Sequence, residues 1–295
     1  MTAYRPSDVA PDMATDMATD MAPDVAPGPA ARPCVLVFAG MDPSGGAGIV
    51  ADAQAVAGQG AHALCVVTAL TVQDNDRAYE VQPVEPALVL RQARALTDKI
   101  AVAAVKIGIP GSAANALAIA RVIRALRERQ PELPVVLDPV LASGHGDTLS
   151  RGDAVAALAP LLPLVTVLTP NGPEALALSA HTTPNAQARA LRALGCRHVL
   201  ITGGHGDGDE IVNRWFGPGA EAGAGSGRPP ATQQWRWQRL DGGFHGSGCT
   251  LASAIAGQLA LGMPTGCALD QAQYYCNAAL RDAYGIAAGQ RIPLR

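Results

Sequence analysis

The sequence lacks the features of a membrane protein, a metal-cluster protein or a nucleic-acid binder. Polar and charged residues interrupt every long apolar stretch of the 295-residue chain, so we predict no transmembrane span and no membrane partner. The six cysteines form no C-x-x-C pair and show no metal-ligand spacing. The formal net charge of −3 gives no basic field that would attract nucleic acid. Without a secretory signal, the chain is expected to be cytoplasmic, with reduced thiols.

The first 33 residues lack the large apolar side chains that a folded segment needs. A short repeat built on Asp-Met-Ala occupies residues 12–22, and four prolines follow before residue 34. Such an acidic, proline-bearing segment buries too little surface to offset the entropy lost on ordering. We therefore predict a disordered tail over residues 1–33 and a single folded domain over residues 34–295.

The folded part alternates short apolar, β-branched runs with alanine- and leucine-rich stretches of helical spacing. Because strands buried on both faces read as continuous apolar runs, this alternation predicts an α/β fold with a mostly parallel sheet and helices on both faces. The predicted parallel strands are residues 34–39, 64–70, 104–107, 135–137, 165–169 and 198–202. Active sites of such sheets gather at the carboxyl ends of the strands, so the residues after each strand are the candidates for function.

One region breaks the alternation. Residues 210–216 and 233–240 read as strands that are separated by a Gly- and Pro-rich connection over residues 217–230. This arrangement predicts an antiparallel hairpin with a flexible tip. Trp235 and Trp237 are two positions apart and should share a face of that hairpin, where packing is a simpler role than ligand binding.

The most informative motif is a glycine-rich turn directly before an apolar helix. Residues 243–250 read Gly-Phe-His-Gly-Ser-Gly-Cys-Thr. Glycines let N–H groups turn toward one point, and the helix N-terminus adds partial positive charge, so such a turn can hold a phosphoryl group in transfer. Cys249 lies where the helix dipole would lower the pKa of its thiol, and it could take a proton from an attacking hydroxyl. The alternative is a helix N-cap with a buried cysteine.

Two other strand ends carry candidate ligand contacts. Residues 40–49 read Gly-Met-Asp-Pro-Ser-Gly-Gly-Ala-Gly-Ile, a turn that permits close approach of a ligand, with Asp52 one helical turn further on. Gln73 follows the predicted strand of residues 64–70, and its carboxamide could read an aminopyrimidine edge bidentately. A tight strand-to-helix turn and an ordinary loop glutamine are the respective alternatives.

Three polar residues follow the next strands of the predicted sheet. Asn171 and Glu174 form an N-x-x-E pattern at a strand-to-helix junction, which suits Mg²⁺ but also matches a helix capping box. Asp138 ends another strand and could help to organise the same ion, or it could be a turn residue.

Two basic side chains stand at unusual positions in the sequence. Lys106 interrupts an apolar strand, where it either faces a substrate pocket or extends to the surface. His205 follows a Gly-Gly pair, but no second metal ligand stands at helical spacing from it, so we interpret it as a loop histidine.

Taken together and in this order, the motifs resemble those of the hydroxymethylpyrimidine/phosphomethylpyrimidine kinases of thiamine biosynthesis, within the ribokinase-like superfamily. The resemblance covers about residue 34 to the C-terminal end. It depends on residues 42–49, 68–73, 105–108, 138–140, 169–174 and 245–250.

The resemblance implies a role for each matching residue. Cys249 would be the catalytic base, and Gly246, Ser247 and Gly248 would complete an anion hole. The substrate-binding residues would be Gly40, Asp52, Gln73, Lys106 and Val140. ATP would be bound near Asn171, Thr202 and Gly204, with Thr202 standing where many relatives carry a lysine. Mg²⁺ would be organised by Asp138, Asn171 and Glu174.

The implied reaction is the ATP-dependent phosphorylation of 4-amino-5-hydroxymethyl-2-methylpyrimidine and then of its monophosphate, by a homodimer. Two alternatives remain open at this point. A pyridoxal-type vitamin kinase of the same superfamily would also phosphorylate a ring hydroxymethyl group. A non-catalytic pyrimidine-sensing module would bind the ligand without turnover.

Overall fold

One nine-stranded sheet organises the residues that the computed structural model describes, which are 31–141, 153–206, 208–218 and 232–295. The strand order is β3-β2-β1-β4-β5-β6-β7-β8-β9. The strands are β1 Cys34–Met41, β2 His62–Gln73, β3 Ala78–Pro83, β4 Val102–Ile107, β5 Val135–Leu137, β6 Val167–Leu168, β7 His198–Ile201, β8 Glu210–Phe216 and β9 Thr232–Gln238.

Helices connect most of these strands. They are α1 Gly48–Gly58, α2 Pro86–Thr97, α3 Ala113–Arg129, α4 Ala154–Leu158, α5 Gly172–Ser179, α6 Pro184–Ala193, α7 Ser247–Ala260 and α8 Thr265–Arg281. A short 3₁₀ turn covers Leu162–Leu164. Within the described ranges, no helix is both long enough and apolar enough to cross a membrane.

The predicted mostly parallel sheet is confirmed. Strands β1, β2, β4, β5, β6 and β7 pair in parallel, whereas β3, β8 and β9 pair with their neighbours in antiparallel fashion. The hairpin of β8 and β9 is also confirmed, with Ile211 opposite Trp237. Residues 219–231, which contain most of its predicted flexible tip, and residues 1–30 of the predicted tail lie outside the described residues.

Helices cover both faces of the sheet, as predicted. Alternate side chains of a strand point to opposite faces, and in β1 this separates Leu36 and Phe38 from Val35 and Val37. The first pair packs in a core with α2, α3, α5 and α6, and the second pair packs with α1, α7 and α8. All four side chains are fully buried, which explains why β1 reads as a continuous apolar run.

Strand β3 was not predicted. Its sequence, Ala-Tyr-Glu-Val-Gln-Pro, is partly exposed along its whole length, so it has no continuous apolar run. It forms the edge of the sheet by antiparallel pairing with the end of β2, from Ala69 opposite Pro83 to Gln73 opposite Ala78. This pairing extends β2 beyond the predicted end at residue 70 and fixes the position of Gln73.

Candidate active site

A cavity of about 830 Å³ opens where the parallel strands end and α7 begins. This position follows from the fold, because the carboxyl ends of parallel strands meet at one edge of the sheet and their loops leave a crevice there. The predicted site residues that line it are Gly40, Gln73, Lys106, Asp138, Val140, Asn171, Glu174, Thr202, Gly204, Gly246, Ser247, Gly248 and Cys249. The cavity therefore brings together residues that are up to about two hundred positions apart in the sequence.

Two glycine-rich turns form one wall of the cavity. Gly48 and Gly246 both have positive φ, of 59° and 84°, where an L-residue would be strained. A Cβ on Gly246 would also collide with the carbonyl oxygen of Gly46, and a Cβ on Gly48 would collide with that of Gly40. Glycine is therefore required in both turns because of close backbone approach as well as conformation.

Asp42 links the two turns to Gln73. Its carboxylate accepts hydrogen bonds from the backbone N–H groups of Ser44 (2.8 Å) and Ala47 (2.7 Å), and His245 Nε2 lies 2.8 Å from its Oδ2 atom. Burial would raise the pKa of Asp42, but hydrogen bonds from His245, Gln73, Ser44 and Ala47 outweigh it and hold the pKa below its ordinary value. Asp42 is thus an ionised acceptor that joins the two turns and interacts with Gln73.

Lys106 is fully buried and lines the cavity, so its side chain does not extend to the surface. Its Nζ atom donates to both carboxylate oxygens of Asp52, at 2.6 and 2.7 Å, and Ser253 Oγ donates to the same carboxylate at 2.7 Å. Burial would lower the pKa of Lys106, but the adjoining Asp52 outweighs it and holds the pKa above the ordinary value. Lys106 therefore presents a fixed positive charge to the cavity.

Asp52, for which a substrate contact was expected, lies beside Lys106 below the cavity wall. Asp52 is fully buried behind Lys106 and is absent from the described residues that line the cavity. Its carboxylate is occupied by Lys106 and Ser253, because an unpaired charge at this depth would be costly. The structure thus shows Asp52 bonded to Lys106, and its direct contact with a substrate stays a prediction.

The expectation that the helix dipole lowers the thiol pKa of Cys249 is wrong. Cys249 is the third residue of α7 and lies beside the positive charge of Lys106. Loss of water around the sulfur nevertheless dominates and, with the nearby charges of Asp52 and Asp138, raises the pKa of Cys249 to about 12. The thiol is therefore protonated at neutral pH, and it lies close enough to Asp138 to influence the pKa of that carboxyl group.

Asn171 and Glu174 form the capping box of α5. Asn171 Oδ1 accepts from the N–H of Glu174, and Glu174 Oε2 accepts from the N–H of Asn171, both at 2.9 Å. An isolated bridge pairs Asn171 with Thr202, which places the ends of β6 and β7 side by side in the cavity wall. The helix capping box that was the alternative to a Mg²⁺ site is thus formed, and the same two residues also line the cavity.

Two carboxyl groups of the cavity fit a divalent cation. Burial, followed by repulsion from Asp138, raises the pKa of Glu174 to about 8, and burial raises that of Asp138 to about 6. Asp138 Oδ2 is buried with no hydrogen-bond partner in the described part of the chain. No group of three or more His, Cys, Asp or Glu ligands occurs there. Mg²⁺ suits this arrangement, because it commonly takes one or two carboxylates and completes its shell with water and phosphate oxygens.

The cavity also contains residues that were not predicted to belong to it. His245 stood inside the most informative motif, but its role as a partner of Asp42 depends on a contact across 203 positions. Asn213 accepts from the Gly203 N–H and donates to Gln273, which joins β8 to α8 and to the turn after β7.

Trp237 lines the cavity and packs edge-on against Tyr274, so it combines packing with a place in the wall. His205 is an exposed turn residue, in agreement with its interpretation as a loop histidine.

Comparison with known structures identifies the class of protein. An ADP complex of Bacillus subtilis pyridoxal kinase superposes with a TM-score of 0.74 and 27% identity, covering 89% of this chain and 97% of that one. A phosphomethylpyrimidine kinase from Clostridium difficile superposes with a TM-score of 0.68 and 29% identity, covering 84% and 100% of the two chains. The fold is that of a ribokinase-like small-molecule kinase.

Sequence comparison then identifies the family. The model of the phosphomethylpyrimidine kinase family matches residues 42–294. A hydroxymethylpyrimidine/phosphomethylpyrimidine kinase of Rhizobium meliloti is 35% identical over 262 residues, which cover 86% of this chain and 93% of the relative. This chain belongs to the phosphomethylpyrimidine kinase family and is a kinase.

Proposed function

We propose that this kinase transfers the γ-phosphoryl group of ATP to the 5-hydroxymethyl oxygen of 4-amino-5-hydroxymethyl-2-methylpyrimidine, and then phosphorylates the monophosphate to the pyrophosphate. Both steps belong to thiamine biosynthesis. We place the reaction in the cytoplasm, where thiols such as Cys249 stay reduced. The names of the relatives support this substrate, and so does the arrangement of the cavity.

The observation that carries the proposal is the connection of Gln73 to the catalytic turn through Asp42. Gln73 helps to lower the pKa of Asp42, and because the carboxylate of Asp42 is ionised, the Gln73 NH₂ group would turn toward it. In that orientation the carbonyl oxygen and the second N–H of Gln73 would match an amino group and a ring nitrogen of an aminopyrimidine. His245 on the other side of Asp42 belongs to the turn that carries Cys249. Asp42 would thus connect Gln73, the proposed pyrimidine-binding residue, with the turn that carries Cys249.

Phosphoryl transfer depends mainly on positioning and on stabilisation of charge. In our proposal the N–H groups of Gly248 and Cys249, at the start of α7, stabilise the charge that spreads over the phosphoryl oxygens. Lys106 adds a buried positive charge beside them. Thr202 and Gly204, at the end of β7, lie where the polyphosphate of ATP would extend along the cavity.

Cys249 is proposed to receive the proton of the attacking hydroxyl. Lys106 favours the thiolate, and the neighbouring Asp138 carboxylate would take up the thiol proton. The hydroxyl becomes strongly acidic only as the new P–O bond forms, so the base is needed late in the step. Mg²⁺, held near Asp138 and Glu174 with Asn171 beside them, would neutralise phosphate charge when bound.

The test of the proposal is ATP turnover with the hydroxymethylpyrimidine, its monophosphate and pyridoxal in parallel, with products resolved by mass. We expect mono- and diphosphate products from the pyrimidine and far slower turnover of pyridoxal. Turnover of pyridoxal alone would favour the vitamin-kinase alternative, to which the Bacillus subtilis structure is related. Binding of the pyrimidine with no turnover would favour the sensing module.

We also propose that the kinase is a homodimer that associates through the β2–β3 edge. Leu70, Val72 and Tyr79 on this edge are 54%, 56% and 67% exposed, and a second copy would remove them from water. Light scattering should then give twice the chain mass, and Val72→Asp should shift it toward the monomer. Leu117→Asp, on the exposed face of α3, is the matched control, and a monomeric wild type would refute the dimer.

A further inference from the structure

The two glycine-rich turns share a hydrogen-bond donor that comes from a third part of the chain. The Arg295 Nη2 atom donates to the carbonyl oxygen of Gly46 at 2.6 Å and to that of Gly246 at 3.3 Å. Two carbonyl oxygens so close to one nitrogen would repel each other without a shared positive donor. The guanidinium group therefore stabilises the close approach of the turns.

Arg295 also bonds to the helices that follow these turns. Its Nε atom donates to Thr250 Oγ1 at 2.8 Å, and the Thr250 hydroxyl in turn donates to the Gly246 carbonyl at 2.8 Å. Its Nη1 atom donates to Gln54 Oε1 on α1 at 3.3 Å. One side chain thus connects α1, α7 and both turns, and Gly246 is the N-cap of α7.

The segment before Arg295 is itself attached to the catalytic turn. His245 N–H donates to the Arg291 carbonyl, and Arg291 N–H donates to the Gly243 carbonyl, both at 2.9 Å. Leu294 N–H donates to the Ala279 carbonyl of α8 at 3.0 Å. These backbone bonds hold the segment that precedes Arg295 against the catalytic turn and α8.

We infer that Arg295 is a positioning residue for phosphoryl transfer, which fixes the direction of the first N–H groups of α7 by holding the Gly246 carbonyl. Arg295 does not belong to the described lining of the cavity, so it acts through the backbone and touches no substrate. The expected fall in kcat rests on the proposed function, whereas the expected effect of Arg295 on the structure of the turn does not. Nothing in the motif of the turn itself indicates this partner, because it lies 49 positions away.

The experiment compares Arg295→Ala, Arg295→Lys and Arg281→Ala, the last being an exposed arginine of α8 that serves as the matched control. We expect kcat of Arg295→Ala to fall roughly 10-fold to 100-fold, as for loss of charged hydrogen bonds, with little change in the KM of the pyrimidine. Added guanidinium ion should restore part of the activity, and Arg295→Lys should be intermediate because an ammonium group cannot make all of these bonds.

Hydrogen exchange of residues 243–251 gives a readout that needs no substrate. The amides of this turn should exchange faster in Arg295→Ala and recover with guanidinium ion, whereas Arg281→Ala should match the wild type. Unchanged exchange of the turn, or a loss of kcat that guanidinium ion does not relieve, would overturn the inference. Failure of the wild type to phosphorylate the pyrimidine would instead count against the proposed function and leave the exchange comparison valid.

Discussion

At the residue scale, Cys249 experiences opposing influences on its proton. Burial raises the pKa of the thiol to about 12, while the Lys106 ammonium group favours the thiolate. The helix dipole at the start of α7 has a weaker effect here than the loss of water around the sulfur.

We therefore predict that Cys249→Ala lowers kcat by roughly 100-fold to 10,000-fold, the usual contribution of a general base. The KM of the pyrimidine should change little, because the thiol is not proposed to bind the ring. Steady-state kinetics measure both quantities. Cys267→Ala, an exposed cysteine of α8, is the control. Turnover of Cys249→Ala close to that of the wild type would show that the base lies elsewhere.

Gln73 supports a prediction about binding. Gln73→Leu removes the carboxamide that interacts with Asp42 and leaves a polar edge of the pyrimidine unpaired, so its KM should rise by roughly 10-fold to 100-fold. The KM of ATP should stay the same. Gln234→Leu on the exposed side of β9 controls for the change in polarity. Equal pyrimidine affinity in the two variants would contradict the role assigned to Gln73.

At the element scale, the start of α7 depends on a glycine for two separate reasons. Gly246 has a φ of 84°, and a Cβ at this position would collide with the Gly46 carbonyl oxygen and approach Arg295. Gly262, after the end of α7, has a similar φ of 79° but no atom within 4 Å of an added Cβ. A substitution at Gly262 would therefore introduce backbone strain alone, whereas one at Gly246 would introduce both strain and a steric clash.

We predict that Gly262→Ala loses only about 1 kcal/mol of unfolding free energy, the cost of left-handed backbone. Gly246→Ala should lose clearly more stability and most of its activity, because the two turns must also move apart. Urea unfolding and steady-state kinetics provide the measurements. If the two variants lose stability equally and Gly246→Ala keeps its activity, the close contact of the turns is unimportant.

The elements also differ in how well the sequence predicts them. Strands buried on both faces, such as β1, read as continuous apolar runs, and so the parallel sheet was predicted correctly. Strand β3 has no such run, because it is an edge strand held by backbone pairing with β2. Pairing with the neighbouring strand determines whether such a short polar segment becomes a strand, so its own sequence pattern gives little indication of it.

The residues of the candidate site also differ in how well the sequence predicts them. Turns and strand ends were predictable, since glycines and polar residues that directly follow apolar runs mark the places where buried strands end. The pairing of Lys106 with Asp52, of Asp42 with His245 and of Arg295 with Gly246 was not predictable, because each joins residues at least 49 positions apart. The burial that raises the pKa of Cys249 is likewise a property of the packed molecule.

At the scale of the whole molecule, stability should depend on the protonation of groups far from the site. His198 begins β7, is 7% exposed and accepts a hydrogen bond at Nδ1 from Trp215 Nε1. Burial, together with Arg197 and Arg192, lowers the pKa of His198 from 6.5 to about 4. The folded chain thus holds this imidazole neutral at a pH where the unfolded chain would protonate it.

The contribution of His198 is therefore fully present above pH 6.5 and is lost as the pH falls toward 4, by roughly 3 kcal/mol in total. His198→Gln keeps an acceptor for Trp215 but cannot titrate, so its unfolding free energy should decrease less than that of the wild type between pH 7 and pH 5. Asp138 and Glu174, whose raised pKa values act in the opposite direction, are the same in both chains and cancel in the difference. Urea unfolding at several pH values, with exposed His181→Gln as the control, measures it. Parallel pH profiles for the wild type and His198→Gln would mean that the imidazole is protonated as readily in the folded chain as in the unfolded chain. Water would then have to reach His198 at the start of β7.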